Sequence, residues 1–290
     1  LGALALQRND YAKATQYFEQ SLAANPNDTQ LQVEVAELQR RQGQNQKAVQ
    51  SIQAAIASQE KATGQKADEG WYRRALAISY DAKLAPEIIS SGEALVKAYP
   101  SATNWRDVLV IYRDSAKYDD QMNLDIMRLM RANNALTGER DYAEFAETAA
   151  LKGFPGESKA VMDEGIAKGA IKSTAPWVKD IMTSVAPKVA SDQKSLPGLE
   201  KESAAAKDGK LAFGTADAYL GYGEWAKAAA MYKVALSKGG VDTAAANLRM
   251  GYALGKAGDK AGAQAAFDQV SGAPRGQLAR YYKIWLGNQG

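Results

Sequence analysis

The sequence predicts an all-α protein, an α-solenoid of antiparallel helix pairs that ends in a C-terminal capping helix. Residues 214–270 contain two copies of one pattern: a helix with a small residue and an aromatic, a glycine that breaks it, and a second helix with an alanine and an aromatic. Equivalent alanines, Ala228 and Ala263, are 35 residues apart, and a two-helix repeat of that length is typical of helical solenoids. The abundance of Ala, Gln, Lys, Glu and Leu also favours helix throughout the chain.

The composition excludes several classes of site. The 290 residues include no Cys and no His, which removes thiolate nucleophiles, imidazole bases and the usual zinc ligands. We therefore predict no catalytic residue, no cofactor and no metal, and we expect that the protein is not an enzyme. The net charge is +3, but the lysines are spaced singly along helices, so we expect no nucleic-acid partner. No apolar run approaches the roughly 20 residues of a transmembrane helix.

Residues 1–60 repeat the pattern at the N-terminal end. Gly2 lies on a first helix, a turn follows at Asn9-Asp10, and the second helix contains Ala14. Asp28 follows a proline turn and is placed to cap the next helix. The next unit carries Ala48, 34 residues after Ala14. The repeat is therefore expected at both ends of the chain.

These repeats resemble the tetratricopeptide repeat family. The resemblance is carried by NDYAKATQYFEQSLAANPND, GYGEWAKAAAMYKVALSKG and AGDKAGAQAAFDQV, and it covers residues 1–60 and 210–271. It implies a right-handed solenoid of about eight helix pairs in which small residues let paired helices approach closely. The first repeat lacks most of its first helix, so we expect the natural protein to extend further N-terminally. The implied packing residues are Gly2, Ala14, Ala36, Ala48, Ala216, Ala228, Gly251 and Ala263.

The middle of the chain is less regular. The small-residue pattern fades after residue 60, and Pro176, Pro187 and Pro197 interrupt residues 173–209, where we predict two or three helices of unequal length. We therefore predict N-terminal helical repeats over 1–172, an irregular helical connector over 173–209, and a C-terminal repeat pair with its capping helix over 210–290. The aromatic last helix is expected to cap the array, and docking to a partner is the alternative.

We predict a partner-binding groove along the first helices of the pairs, because stacking places these helices on the concave side of such an array. The residues predicted to line it are Glu34, Glu37, Arg40, Arg41, Lys210, Asp217, Arg249 and Lys256. Some members of the family bind the C-terminal tails of heat-shock chaperones through a set of Lys, Arg and Asn residues. That set is not found in this sequence, so the identity of the partner stays open.

The expected function is a non-enzymatic scaffold that binds a protein or peptide along this groove. The alternative is a structural subunit of a larger cell-envelope assembly that is held through its ends. The Ala/Gln-rich composition and the segment SDQKSLPGLEKESAAAKDG resemble exported tetratricopeptide proteins of Gram-negative bacteria. This resemblance implies a periplasmic or cell-envelope location, with the cytoplasm as the alternative.

Overall fold

The described residues, 1–289 of a computed structural model, form α-helices and no β-strand. The predicted all-α architecture of consecutive helix pairs is therefore confirmed. Contacts divide the chain into two units, Leu1–Lys117 (unit 1) and Tyr118–Gly290 (unit 2). This division falls at a different place from the predicted boundaries at 172 and 209, and the three-part organisation stays a prediction.

Unit 1 consists of helical hairpins in chain order. Its helices are α1 (Gly2–Gln7), α2 (Tyr11–Ala24), α3 (Thr29–Arg41), α4 (Asn45–Thr63), α5 (Glu69–Asp81), α6 (Ala85–Ala98) and α7 (Ala102–Asp114). Within each of the pairs α1/α2, α3/α4 and α5/α6, the two helices pack against each other, and α7 packs against α6. Phe18 and Leu38 join the first two pairs in one apolar cluster.

Unit 2 contains three further pairs, a long helix, a capping helix and one helix outside the pairs. Its helices are α8 (Asp120–Ala132), α9 (Gly138–Leu151), α10 (Pro155–Ala167), α11 (Pro176–Ala205), α12 (Lys210–Gly221), α13 (Trp225–Lys238), α14 (Thr243–Lys256), α15 (Lys260–Asp268) and α16 (Arg275–Gly287). The pairs are α9/α10, α12/α13 and α14/α15, and α11 packs against α10 and α12. No helix within residues 1–289 combines the length and the apolarity needed to cross a bilayer.

The turns inside the pairs share one backbone conformation. Gly223 and Gly258 have φ of 74° and 90°, where a residue with a β-carbon is disfavoured. Lys83 takes the corresponding position between α5 and α6, with φ of 54°. The turn between α5 and α6 therefore keeps the conformation of the other hairpin turns although it contains no glycine.

The eight predicted packing residues are all buried, and Gly2 and Gly251 lie close to an aromatic ring of the paired helix. A β-carbon on Gly2 would overlap the ring of Phe18, and one on Gly251 would overlap the ring of Phe267. At these two positions the absence of a side chain makes room for an aromatic ring of the partner helix.

The long helix α11 differs from the sequence expectation. We predicted two or three helices between residues 173 and 209, which is wrong, because one helix continues through Pro187 and Pro197. An internal proline removes one N–H donor and leaves the carbonyl four residues earlier without a helical partner. Both prolines are exposed, so water can bind those carbonyls and the helix is not forced to end.

The C-terminal helix α16 covers the end of the array, as expected for a cap. It packs against α14 and α15, and its buried side chains include Tyr281, Tyr282 and Trp285. The ring of Tyr252 on α14 lies 5.6 Å from that of Tyr282 and 5.5 Å from that of Trp285, measured between centroids. The aromatic face of the last helix is therefore covered within unit 2.

Candidate interaction surfaces

Helices α3, α5 and α7 line two adjoining clefts in unit 1. The larger has a volume of 590 Å³ and is lined by Arg73, Arg74, Leu76, Ala77, Leu95, Arg106, Asp107, Val110 and Ile111. The smaller has a volume of 440 Å³ and is lined by Glu34, Glu37, Arg40, Arg41, Arg74, Ala77, Ile78 and Asp81. Because Arg74 and Ala77 line both, we treat them as one surface and call it the unit 1 cleft.

The four N-terminal groove residues predicted from the sequence line this cleft, and three of them are bound to one another. Arg40 donates from Nη2 to Glu37 Oε1 over 2.8 Å, and Arg41 donates from Nε to the same oxygen over 2.9 Å. The hydrogen bond from Arg40 is the main reason why the pKa of Glu37 falls to about 2. Glu37 is therefore a charged carboxylate whose lone pairs are already engaged.

The cleft between α5 and α7 combines an apolar wall with guanidinium groups. Arg73 Nη2 lies 2.6 Å from Asp107 Oδ2 and joins the two helices. Val110 and Ile111 are half-buried and contribute apolar surface to the lining. The exposed Arg74 makes no ion pair or side-chain hydrogen bond within the described residues. This part of unit 1 can therefore offer a cation beside an apolar surface.

Unit 2 contains a helix that is buried on every side. All seven residues from 124 to 130 on α8 are buried, whereas a helix at a protein surface buries only one stripe. Helices α9 and α16 pack against α8. The Tyr282 hydroxyl on α16 donates to the backbone carbonyl of Asp125 over 2.7 Å, across 157 positions of sequence. Unit 2 therefore folds around α8.

Two buried charges of α8 are bound by the surrounding helices. Arg128 donates from Nε and Nη2 to the two carboxylate oxygens of Glu157 on α10, over 2.8 and 2.6 Å. Asp125 accepts from Nε of Arg249 on α14 over 2.8 Å. Arg128 Nη1 also donates to Asp125 over 2.7 Å. Each buried charge of α8 thus has an opposite charge on another helix.

The network continues from α14 to α12 and α13. Arg249 donates from Nη1 to Asp217 Oδ2 over 2.9 Å, and the Tyr232 hydroxyl donates to Asp217 Oδ1 over 2.5 Å. Burial lowers the pKa of Arg249, but Asp125 and Asp217 more than offset this, so the pKa stays above its usual range. The arginine is therefore charged at every accessible pH. A buried ion network of this kind is sensitive to the loss of any one member.

The structure separates the four C-terminal groove residues predicted from the sequence. Asp217 and Arg249 lie in the buried network. Lys256 lies over the ring of Trp225, 5.5 Å from its centroid, and lines another cleft of 360 Å³. Lys210 is exposed beside Asp208. Partner binding at these residues stays a prediction, and two of them are engaged by the protein's own chain.

Sequence reasoning missed Asp125, Arg128 and Glu157. The sequence feature that could have indicated Asp125 and Arg128 is the run MNLDIMRLM, in which apolar residues surround an acidic and a basic residue three positions apart. A helix with apolar residues on all faces is expected to be buried, and its charges then need partners. No group of three or more Asp or Glu residues that could hold a metal ion occurs within the described part of the chain.

The fold and these surfaces define an all-α protein of stacked helical hairpins, the arrangement that the resemblance to tetratricopeptide repeats implies. No protein-family model matches the chain, and no curated protein matches it either. Among solved structures, the chain is similar to a tetratricopeptide repeat protein from Parabacteroides merdae. That similarity has a TM-score of 0.33 and 14% sequence identity, and it covers 98% of this chain and 95% of the other.

Proposed function

We propose that the protein is a non-enzymatic interaction scaffold and that the unit 1 cleft binds a segment of a partner protein. The observation that carries this proposal is the continuous surface formed by α3, α5 and α7, on which Arg74 and Ala77 join two clefts. Stacked helical pairs commonly present extended binding surfaces of this kind. In the 590 Å³ cleft, Leu76, Val110 and Ile111 lie beside arginines, and apolar surface combined with a few polar groups is the usual character of a binding site.

The lining favours a partner segment that carries an apolar side chain and a nearby carboxylate. The apolar side chain would pack against Val110 and Ile111, and the carboxylate would accept hydrogen bonds from Arg74. Guanidinium groups bind carboxylates well because their N–H groups match both oxygens. The paired groups Glu37, Arg40 and Arg41 would contribute to the shape of the surface more than to its charge.

The state of the carboxylates supports a non-catalytic role. Without His or Cys, acid–base chemistry would depend mainly on Asp and Glu side chains. In the unit 1 cleft, Glu37 is bound by Arg40 and Arg41 and has a lowered pKa, and Asp107 is paired with Arg73. With its lowered pKa, Glu37 is a poor base near neutral pH, which agrees with a surface that binds without turnover.

The test is a substitution that fills the cleft. Peptides are selected from a random library on the wild-type chain, and their affinities are measured by fluorescence anisotropy. Ala77 is exposed and lines both clefts, so Ala77→Trp is expected to weaken peptide binding at least tenfold. Ala57 is exposed on α4 outside the cleft, and Ala57→Trp is the control that should bind as the wild type does. Equal binding by the two variants, or no enrichment of peptides on the wild type, would contradict the proposal.

No observation favours the alternative of an assembly subunit held through its ends, because the aromatic face of α16 is covered within unit 2.

A periplasmic or cell-envelope location remains part of the proposal and is supported by the composition and the connector segment alone. Fractionation of cells that express the complete natural gene would test it, with recovery in the cytoplasmic fraction as the contrary result.

A further inference from the structure

A cleft within unit 2 collects basic side chains from the ends of three helices. It has a volume of 360 Å³, and its basic lining residues are Arg131 on α8, Lys168 just after α10 and Lys256 on α14. Among the described residues that line it, only Glu164 is acidic. Three cations and one carboxylate leave a net charge of +2 at this surface, which we call the unit 2 cleft.

Glu164 holds two of these cations close together. Arg131 donates from Nε to Glu164 Oε2 over 2.6 Å, and Lys168 donates from Nζ to Glu164 Oε1 over 2.8 Å. Burial raises the pKa of Glu164, but the hydrogen bonds from Lys168 and Arg131 more than offset this, so the pKa lies below its usual value. The terminal nitrogens Nη1 and Nη2 of Arg131 make no hydrogen bond to any described residue. They therefore stay available as donors.

Another part of the lining is aromatic. The ring of Trp225 is half-buried and lies 5.8 Å from the ring of Tyr252, measured between centroids. Lys256 Nζ lies 5.5 Å from the centroid of the Trp225 ring, and it makes no ion pair or hydrogen bond within residues 1–289. The cleft therefore offers a flat apolar surface beside a cation that has no ionic partner.

Tyr252 brings a buried hydroxyl without a hydrogen-bond partner to the cleft. The residue is 5% exposed, and its hydroxyl makes no hydrogen bond in the part of the chain that the structure describes. Tyr232 and Tyr282 are buried as well, and their hydroxyls donate to an acidic side chain and to a backbone carbonyl, as is usual for buried tyrosines. Burial raises the pKa of Tyr252 to about 12, and the charge of Arg131 opposes that rise. Because Tyr252 lines the cleft, its hydroxyl is a donor for a molecule bound there.

The helix dipole explains only part of this arrangement. Cations are favoured at helix C-termini, and Arg131, Lys168 and Lys256 lie at the ends of α8, α10 and α14. The dipole does not explain why three such ends meet at one cleft, or why an unpartnered buried hydroxyl faces it. The excess positive charge and the free donors indicate an anionic ligand.

We propose that the unit 2 cleft binds a small molecule that carries a phosphate monoester on a flat ring. A phosphate monoester has a charge of about −1.5 to −2 at pH 7 and three acceptor oxygens, whereas a carboxylate would neutralise only half of the net charge. The phosphate would accept hydrogen bonds from Arg131, Lys256 and Tyr252, and the ring would pack on Trp225.

The size of the cleft favours a small molecule. Its volume of 360 Å³ lies at the lower end of the range for small-molecule sites, about 300–1,000 Å³. The residues that form it all belong to unit 2. The proposal therefore stands or falls independently of the function proposed for the unit 1 cleft.

The first test measures the binding of phenyl phosphate to the full chain by isothermal titration calorimetry. The wild type should bind phenyl phosphate at least tenfold more tightly than benzoate, which has the ring but a single negative charge. It should also bind it at least tenfold more tightly than inorganic phosphate, which has the charge but no ring. Equal affinity for phenyl phosphate and either of the other two, or a Kd for phenyl phosphate above about 1 mM, would overturn the proposal.

The second test uses variants that leave the packing of the cleft in place. Tyr252→Phe keeps the ring and removes only the unpartnered hydroxyl, so the fold should be kept while phenyl phosphate binds about tenfold more weakly, as expected for the loss of a hydrogen bond to a charged group. Lys256→Gln should weaken binding at least fivefold. Wild-type affinity in either variant would overturn the proposal.

Lys227→Gln is the matched control for Lys256→Gln. Lys227 Nζ lies 5.0 Å from the centroid of the Tyr219 ring, so the substitution removes the same charge from a similar position over an aromatic ring, but outside the cleft. This variant should bind phenyl phosphate as the wild type does. Equal weakening by Lys227→Gln and Lys256→Gln would show a general electrostatic attraction and would overturn the proposal.

A short peptide that contains phosphotyrosine between alanines carries the same phosphorylated ring on a polypeptide. Binding of this peptide that equals that of phenyl phosphate, or is weaker, supports the assignment to a small molecule. Binding of the peptide at least tenfold more tightly than phenyl phosphate would overturn that assignment.

Discussion

At the scale of single residues, the spacing of paired helices is set by residues that lack a side chain. A β-carbon on Gly251 would overlap the ring of Phe267, whereas a β-carbon on Gly214 in α12 would meet nothing within 4 Å. The sequence indicated Gly251 because the requirement for a small residue recurs with the repeat. Local spacing along the chain was sufficient for that inference.

The same substitution is therefore expected to have opposite effects at these two positions. Gly251→Ala should destabilise the protein by about 1–3 kcal/mol, because the added methyl group overpacks the contact with Phe267. Gly214→Ala should stabilise it by about 0.5–1 kcal/mol, because alanine restricts the unfolded chain and favours helix. Urea unfolding followed by circular dichroism measures both effects, and a shift in the same direction for the two variants would contradict the packing described here.

Glu37 gives a prediction that depends on pH. The hydrogen bond from Arg40 is the first cause of the lowered pKa, which falls from 4.5 to about 2. The carboxylate therefore stabilises the fold above pH 4.5, and this contribution is lost as the pH falls towards 2. The other charged groups that line the 440 Å³ cleft, besides Arg40 and Arg41, are Glu34, Arg74 and Asp81, and they are the same in the wild type and in a Glu37→Gln variant.

We expect Glu37→Gln to be less stable than the wild type at pH 6, and we expect the difference to shrink as the pH is lowered below about 4.5. Urea unfolding at pH 6, 4 and 3 provides the measurement. Glu19→Gln, at an exposed position on α2, controls for the loss of one negative charge. A stability difference between Glu37→Gln and the wild type that does not change with pH would show that the pairing with Arg40 and Arg41 is not the cause.

The partners of the buried charges could not be predicted at the residue scale. Asp125 and Arg249 are 124 positions apart, and Arg128 and Glu157 are 29 apart. A local pattern shows that a charge will be buried, but it does not show which distant residue approaches it. The contact depends on how the intervening helices stack.

At the scale of helices, most of the pairs follow from local sequence. The end of α9 at Leu151 and its turn into α10 follow from local sequence, because Gly153 and Pro155 determine the backbone there. The error at α11 arose because an internal proline was treated as a helix end. Whether it ends a helix depends on solvent access to the carbonyl that it leaves unpaired, which is a property of the fold.

The prolines of α11 give a prediction at this scale. Pro187→Ala should stabilise the protein by about 1–3 kcal/mol, because it restores a helical N–H donor and removes a steric clash. Pro176→Ala is the control: Pro176 lies in the first turn, where no donor is needed, so the expected change is close to zero. Thermal unfolding of the two variants compares them directly. A destabilised Pro187→Ala variant would contradict the prediction, because it would show that Pro187 stabilises the native helix.

At the scale of the whole molecule, the two units present different surfaces. The unit 1 cleft is lined mainly by side chains of α3, α5 and α7, whereas the interior of unit 2 is filled by α8. The sequence predicted a uniform groove because repeats in the same pattern are expected to stack in the same way. It could not show that α8 would fill the interior of unit 2, since the packing of this helix depends on long-range contacts.

The central claim is that unit 2 folds around α8, and a double-mutant cycle between Asp125 and Arg249 tests it most directly. Each single change, Asp125→Asn or Arg249→Gln, should cost about 3–5 kcal/mol, because it takes from the other partner one of the two opposite charges that it is paired with in a buried network. Urea unfolding of the wild type, the two single variants and the double variant should then give a coupling energy of about 1–3 kcal/mol. Effects that add within about 0.5 kcal/mol, as for distant and independent residues, would contradict the claim.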